Sequence, residues 1–77
     1  MLHFKDKRLV KFGKHVHEFR LKLGLEPNDI AENSSITRRD LQAIEEGSKN
    51  FGFTTFLELA KGMGISPSDL LNVNLDD

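Results

Sequence analysis

From Lys7 onward, apolar residues fall at Leu9, Phe12, Val16, Phe19 and Leu23, steps of three and four that place them on one stripe of a helix. This first helix is predicted to stop near Gly24, since glycine takes the left-handed conformation that closes helices, and Pro27 suits the first turn of the next. Helix 2 is short, over 27–33, with Ile30 and the small Ala31 turned inward so that another helix can approach closely. Thr37-Arg38-Arg39-Asp40 marks the start of helix 3. The Thr37 hydroxyl can cap a backbone N–H, and Asp40 can reach back from three residues on. Leu41 and Ile44 face inward, and Gly47 ends the helix. Ser48 to Gly52 reads as a loop around Phe51. Phe53, Phe56, Leu57, Ala60 and Met63 mark helix 4, stopped at Gly64. Ser66-Pro67-Ser68-Asp69 starts helix 5, which ends in Leu70-Leu71. No stretch alternates with the period of a strand, so the pattern predicts an all-α fold of five helices joined by short links. The core spans about 7–71, and the segments 1–6 and 72–77 lack helical periodicity and read as flexible ends.

The chain has 77 residues, the size of one domain. Below about 80 residues a single core supplies only about 3–5 kcal/mol, which favours a binding module over an enzyme with a deep cavity. There is no cysteine, so no disulfide framework or thiolate metal site, and a reducing, cytoplasmic setting is expected. No apolar run approaches the roughly 20 residues of a membrane helix. His15 and His17 diverge by about 200° on a helix and His3 is distant in sequence. His15 and His17 are read as surface residues, and no metal or other cofactor is expected. No nucleophile, base and orienting acid can be assembled from the spacing either.

The net charge is −1, but it is unevenly spread. Residues 1–23 carry a net +5, residues 24–47 a net −4 and residues 48–77 a net −2. The positive pole is helix 1, where Lys7, Lys11, Lys14 and Lys22 lie away from the apolar stripe. They either meet phosphate or simply solvate the helix. Arg20 differs from them: at 100° per residue it lies about 20° from the direction of Leu9, at the edge of the stripe. A guanidinium there needs a partner. Glu45, four residues after Leu41 on helix 3, also points inward, so an Arg20–Glu45 ion pair would clamp helix 1 to helix 3.

A short helix, a tight link and a capped helix, in the run PNDIAENSSITRRDLQAIEEG, resemble the helix-turn-helix of the phage-repressor and Cro family, also called the Xre family. The resemblance extends over roughly residues 9–71, through Arg20, Gly24-Leu25, Ile30-Ala31, Leu41, Ile44-Glu45, Gly47 and Ala60. It implies a compact repressor-like domain whose helices 2 and 3 form the helix-turn-helix, with helix 3 in the major groove of double-stranded DNA. Carried over residue by residue, it makes Thr37, Arg38, Arg39, Gln42 and Ala43 the candidate base readers and Lys49 and Asn50 the candidate phosphate contacts. The side-chain chemistry agrees in part: arginine can bond both acceptors of guanine, glutamine can do the same on adenine, and alanine can touch a thymine methyl. Thr37 and Asp40 also read as caps.

Several residues depart from the family's pattern. Pro27 stands where a phosphate-binding glutamine is usual and offers no donor. Glu46 stands where asparagine is frequent, and its charge repels phosphate. Ser35 occupies a turn position that is commonly glycine, so it is either strained or not left-handed. Phe51 replaces a proline, and with Phe53 it either fills core or forms an exposed apolar patch. The resemblance implies a transcriptional regulator acting as a homodimer, either a small repressor or an antitoxin that also binds a toxin protein. The departures and the net charge leave open a protein-interaction module that keeps the fold without DNA affinity.

Overall fold

Helix boundaries follow from how each end group is satisfied. The computed structural model describes residues 6–75, which form α1 (Lys7–Lys22), α2 (Pro27–Glu32), α3 (Arg38–Glu46), α4 (Phe53–Met63) and α5 (Pro67–Leu70). Asp6 caps α1: its carboxylate accepts the Arg8 N–H at 2.8 Å while the Arg8 guanidinium closes on it at 2.7 Å. These bonds hold its pKa down to about 2. Thr37 and Asp40 bond each other's backbone N–H groups across the start of α3, and the Ser66 hydroxyl accepts the Asp69 N–H at α5. Gly47 closes α3 at φ 70°. A side chain there would be strained twice, by the left-handed backbone and by the Val10 Cα, 2.6 Å from an added Cβ.

α1 packs on α3, α2 on both α3 and α4, and α4 on α5. Val16, Ile30, Leu41, Ile44, Leu59 and Leu70 are the largest fully buried side chains, drawn from all five helices around one core. The buried stripe of α4 differs from the predicted one. Leu59 is fully buried, whereas Phe53 is 71% exposed and Leu57 is also exposed. Taking Phe56 as reference, Leu59, Ala60 and Met63 fall within about 60° of it, whereas Leu57 lies about 100° round. Leu23 likewise lies outside, because α1 has already ended.

Both ends of the periodic region take part in the fold. Asp6 is a helix cap, and Val73 and Leu75 pack against the core; residues 1–5 and 76–77 lie outside the described residues. His15, expected at the surface, is half-buried. Its Nε2 lies 3.0 Å from the Leu70 carbonyl and its ring meets Phe19 edge-on, which ties α1 to the end of α5.

Glycine makes close helix approaches, with Ala31 only half-buried. A Cβ on Gly13 would collide with the Ile44 carbonyl oxygen and lie 2.7 Å from that of Glu45, and one on Gly62 would lie 2.9 Å from Ile30 Cγ2. Gly13 therefore sets the α1–α3 distance, against backbone that cannot swing aside. Gly13→Ala is expected to destabilise by about 1–3 kcal/mol through overpacking. Thermal unfolding should fall by about 4–8 °C per kcal/mol for a domain of this size, and an unchanged midpoint would show that the approach is not tight.

Candidate nucleic-acid interface

The outward presentation of α3 depends on what holds its other side. Leu41 and Ile44 enter the core, and Glu45, on the same side, meets Arg20 of α1. Arg20 is only 7% exposed. Its Nε donates to Glu45 Oε2 at 2.7 Å, Nη2 to Glu45 Oε1 at 3.1 Å and Nη1 to the Leu25 carbonyl at 2.9 Å. One guanidinium therefore joins α1, the turn after it and α3. Burial pushes the Glu45 carboxyl pKa up, but bonds from Arg20 and His17 more than offset this and hold it below its ordinary value. The same pairing raises the pKa of Arg20.

With that side fixed, Thr37, Arg38, Arg39 and Gln42 lie exposed on the other. Arg38, Arg39 and Gln42 border an open concavity of about 910 Å³ that also reaches His17, Pro27 and Glu46. Among the described residues neither Arg38 nor Arg39 has an ion-pair or hydrogen-bond partner. Both sit in the first turn of α3, where the helix dipole is positive and cations are unfavourable for the helix itself by about 0.3–1 kcal/mol. Two guanidinium groups and a helix N-terminus thus concentrate positive potential in a chain whose total charge is near zero. That arrangement suits a phosphate-lined groove with guanine acceptors at its floor.

The remaining candidates are more engaged. Thr37 Oγ1 accepts the Asp40 N–H at 3.0 Å, which leaves its own hydrogen to donate. Gln42 Nε2 donates to Glu46 Oε1 at 3.1 Å, so the glutamine must leave this exposed bond before it can bond a base. Ala43 is half-buried, and its carbonyl accepts from Ser48. The Lys49 ammonium lies 2.8 Å from Asp40 Oδ1, an exposed pair that solvent screens and that is readily exchanged for phosphate. With the Thr37 bonds, it holds the Asp40 carboxyl below its usual range. Asn50 is exposed beyond the helix. Of the α1 residues, His17 and Arg20 border the concavity, while Lys14 instead faces Glu18 at 4.0 Å.

The helix-turn-helix link shows how the departures are accommodated. Ser35 does not have a positive φ, since only glycines do among the described residues. Its N–H donates to Glu58 Oε1 of α4 at 2.9 Å, and this bond, with a side-chain bond from Ser35, lowers the Glu58 pKa. Ser34 Oγ donates to the Ile30 carbonyl and accepts the Ile36 N–H, bracing the same turn. At the start of α2, the Glu26 N–H is taken by Asp29 at 2.8 Å. Carboxylates rather than donors therefore stand beside Pro27. Phe51 and Phe53 divide: Phe51 packs against the core with its ring 5.6 Å from Phe12, and exposed Phe53 stacks on Phe56. Sequence reasoning missed both Glu58 and His17. His17 Nδ1 lies 2.7 Å from Glu45 Oε1, and its position one turn before Arg20 on the same side of α1 was the available signal.

A helix-turn-helix family model matches residues 16–70. No curated protein matches the chain. Among solved structures, the chain is similar to the restriction-modification controller protein C.AhdI from Aeromonas hydrophila, at 33% identity over 82% of this chain and 96% of that one, with a TM-score of 0.74. It is also similar to the controller protein C.Esp1396I, described as a tetramer in complex with its natural 35 base-pair operator, at 25% identity over 82% and 83% of the two chains and a TM-score of 0.75. The clp gene regulator ClgR from Corynebacterium glutamicum shares the fold, at 23% identity over 83% of this chain and 68% of that one, with a TM-score of 0.73.

Proposed function

The chain belongs to the helix-turn-helix family, of the Xre type, and on that premise we propose that it is a sequence-specific DNA-binding transcriptional regulator that reads the major groove with α3. The observation that carries this reading is the pair of guanidinium groups, Arg38 and Arg39, without a bonding partner among the described residues, at the outward N-terminal end of a helix clamped from behind. The controller proteins it resembles, one of them a tetramer on its operator, support the reading. Thr37, Arg38, Arg39, Gln42 and Ala43 face the bases, and Lys49 and Asn50 face the backbone once Lys49 releases Asp40. The regulator acts in the cytoplasm as a homodimer on half-sites about 34 Å apart. Exposed Phe53 and Leu71, beside Phe51 and Leu75, supply an apolar face for the second copy.

Selection of sites from a random DNA pool tests this reading. The expected outcome is an enriched motif with two related halves, bound with an affinity that falls as a power of salt concentration. An unenriched pool would contradict it and favour a protein-interaction module, a reading motivated by Pro27, Glu46 and the apolar face. Within the DNA-binding reading, a small repressor and an antitoxin differ in whether a toxin is encoded beside the chain and co-purifies with it.

A further inference from the structure

His17 is the one imidazole on the rim of the concavity among the described residues, and its side chain is 47% exposed. Its Nδ1 lies 2.7 Å from Glu45 Oε1 and 3.2 Å from Arg20 Nη2. A carboxylate oxygen that close demands a proton on Nδ1, because a bare nitrogen lone pair would repel it. An Nδ1 that carries a proton cannot also accept from Arg20, so the 3.2 Å approach is a contact and not a hydrogen bond. The pairing with Glu45 fixes the tautomer, and Nε2 has no hydrogen-bond partner among the described residues.

In the neutral ring, Nε2 then bears only a lone pair. A phosphate oxygen is also an acceptor, so the two can bond only after Nε2 gains a proton. We propose that His17 is a DNA-backbone contact that takes up one proton when phosphate binds, replacing the donor that Pro27 cannot supply at the neighbouring start of α2. The inference rests on the DNA-binding reading above. The imidazolium would bridge two anions, Glu45 on one side and phosphate on the other. Arg20 on α1 and Arg38 and Arg39 on α3 oppose its charge in the free protein, while Glu45 and Glu46 on α3 favour it. At the start of α2 Pro27 is uncharged, while the neighbouring Glu26 carboxylate acts on Arg20 and so also favours the imidazolium; bound phosphate offsets the arginines.

Calorimetric titration of the full chain with its selected DNA, in buffers of different ionisation enthalpy, reads the proton directly. Net uptake is expected near neutral pH, with affinity rising as pH falls by at most about tenfold per pH unit for each proton taken up. His17→Asn keeps a donor for Glu45 but cannot titrate; it should lose the uptake and most of the pH dependence. His17→Lys, permanently charged, should bind at high pH about as tightly as the parent does at low pH. Parent and His17→Asn proteins that bind the selected site with the same proton uptake would overturn the inference while leaving DNA binding intact. Absence of any selected site would overturn the underlying reading, and this inference with it.

Discussion

Arg20→Ala is expected to destabilise the domain by about 3–5 kcal/mol, because removing one member of a buried pair leaves the other charge without its partner. A core of this size supplies only about that much in total, so the variant should be largely unfolded at room temperature by circular dichroism. The loss is amplified by connectivity: the same guanidinium also holds the Leu25 carbonyl, so the link into α2 loosens with the α1–α3 contact. Glu45→Ala should cost a similar amount and additionally free His17. Replacing both partners together, Arg20→Met with Glu45→Leu, removes the stranded charge and is expected to recover most of the stability. A loss below about 1 kcal/mol for Arg20→Ala, the value of an exposed pair, would show that α3 is not fixed through this contact.

The same pair sets a pH dependence of definite sign. Glu45 has a lowered pKa in the folded chain, so the native state binds fewer protons than the unfolded one across that interval. Its stabilisation is present above the ordinary glutamate pKa of about 4.3 and is lost as pH falls through the lower folded value. Asp6, at about 2, and Asp40 and Glu58 act in the same direction. Stability should therefore decline progressively below about pH 4, and Glu45→Gln should flatten part of that decline.

Much of this architecture was legible in the chain because its signals are local. Thr37 with Asp40, Ser66 with Pro67, and Gly47 mark helix ends by chemistry that acts within a few residues, and the order of five helices follows. The Arg20–Glu45 contact was also accessible, since helical angle alone places a charged group on the apolar stripe. What failed depended on tertiary rotation. Periodicity admits Phe53 and Leu57 to the α4 stripe, and only packing against α2 and α5 selects Leu59 instead. Gly13 and Gly62 lie in helix interiors, where glycine costs about 1 kcal/mol relative to alanine; that cost was itself a sign of close approach, but nothing local names the neighbour. At the candidate site, residue identities were readable from the run after Thr37. Their states were not: Lys49 on Asp40 and Gln42 on Glu46 are contacts between side chains, and Glu58 on the Ser35 N–H is one between a side chain and the backbone, each made by a side chain free to choose among several partners.

The second large effect concerns α3. Arg38 and Arg39 hold no structural bond among the described residues, so alanine at either should change stability by no more than about 0.5 kcal/mol. Removing a cation from the positive end of the helix makes a slight gain the favoured sign. On DNA the effect should be large. A bidentate arginine–guanine pair discriminates by about 1–3 kcal/mol, roughly 5- to 150-fold between the correct and a wrong base. The two side chains lie about 100° apart around α3, so one can read a base while the other holds a phosphate. The two roles leave different signatures: loss of the base reader relaxes preference at one position, and loss of the phosphate contact weakens all sequences alike and reduces the salt slope by about one.

The most direct measurement is therefore the binding of parent, Arg38→Ala and Arg39→Ala proteins to the selected site and to its single-base variants, at two salt concentrations. At least one variant should lose discrimination at one base pair per half-site while its thermal unfolding stays at the parent midpoint. Folded variants that both keep the parent's full pattern of base preferences would contradict the claim that the leading turn of α3 reads DNA.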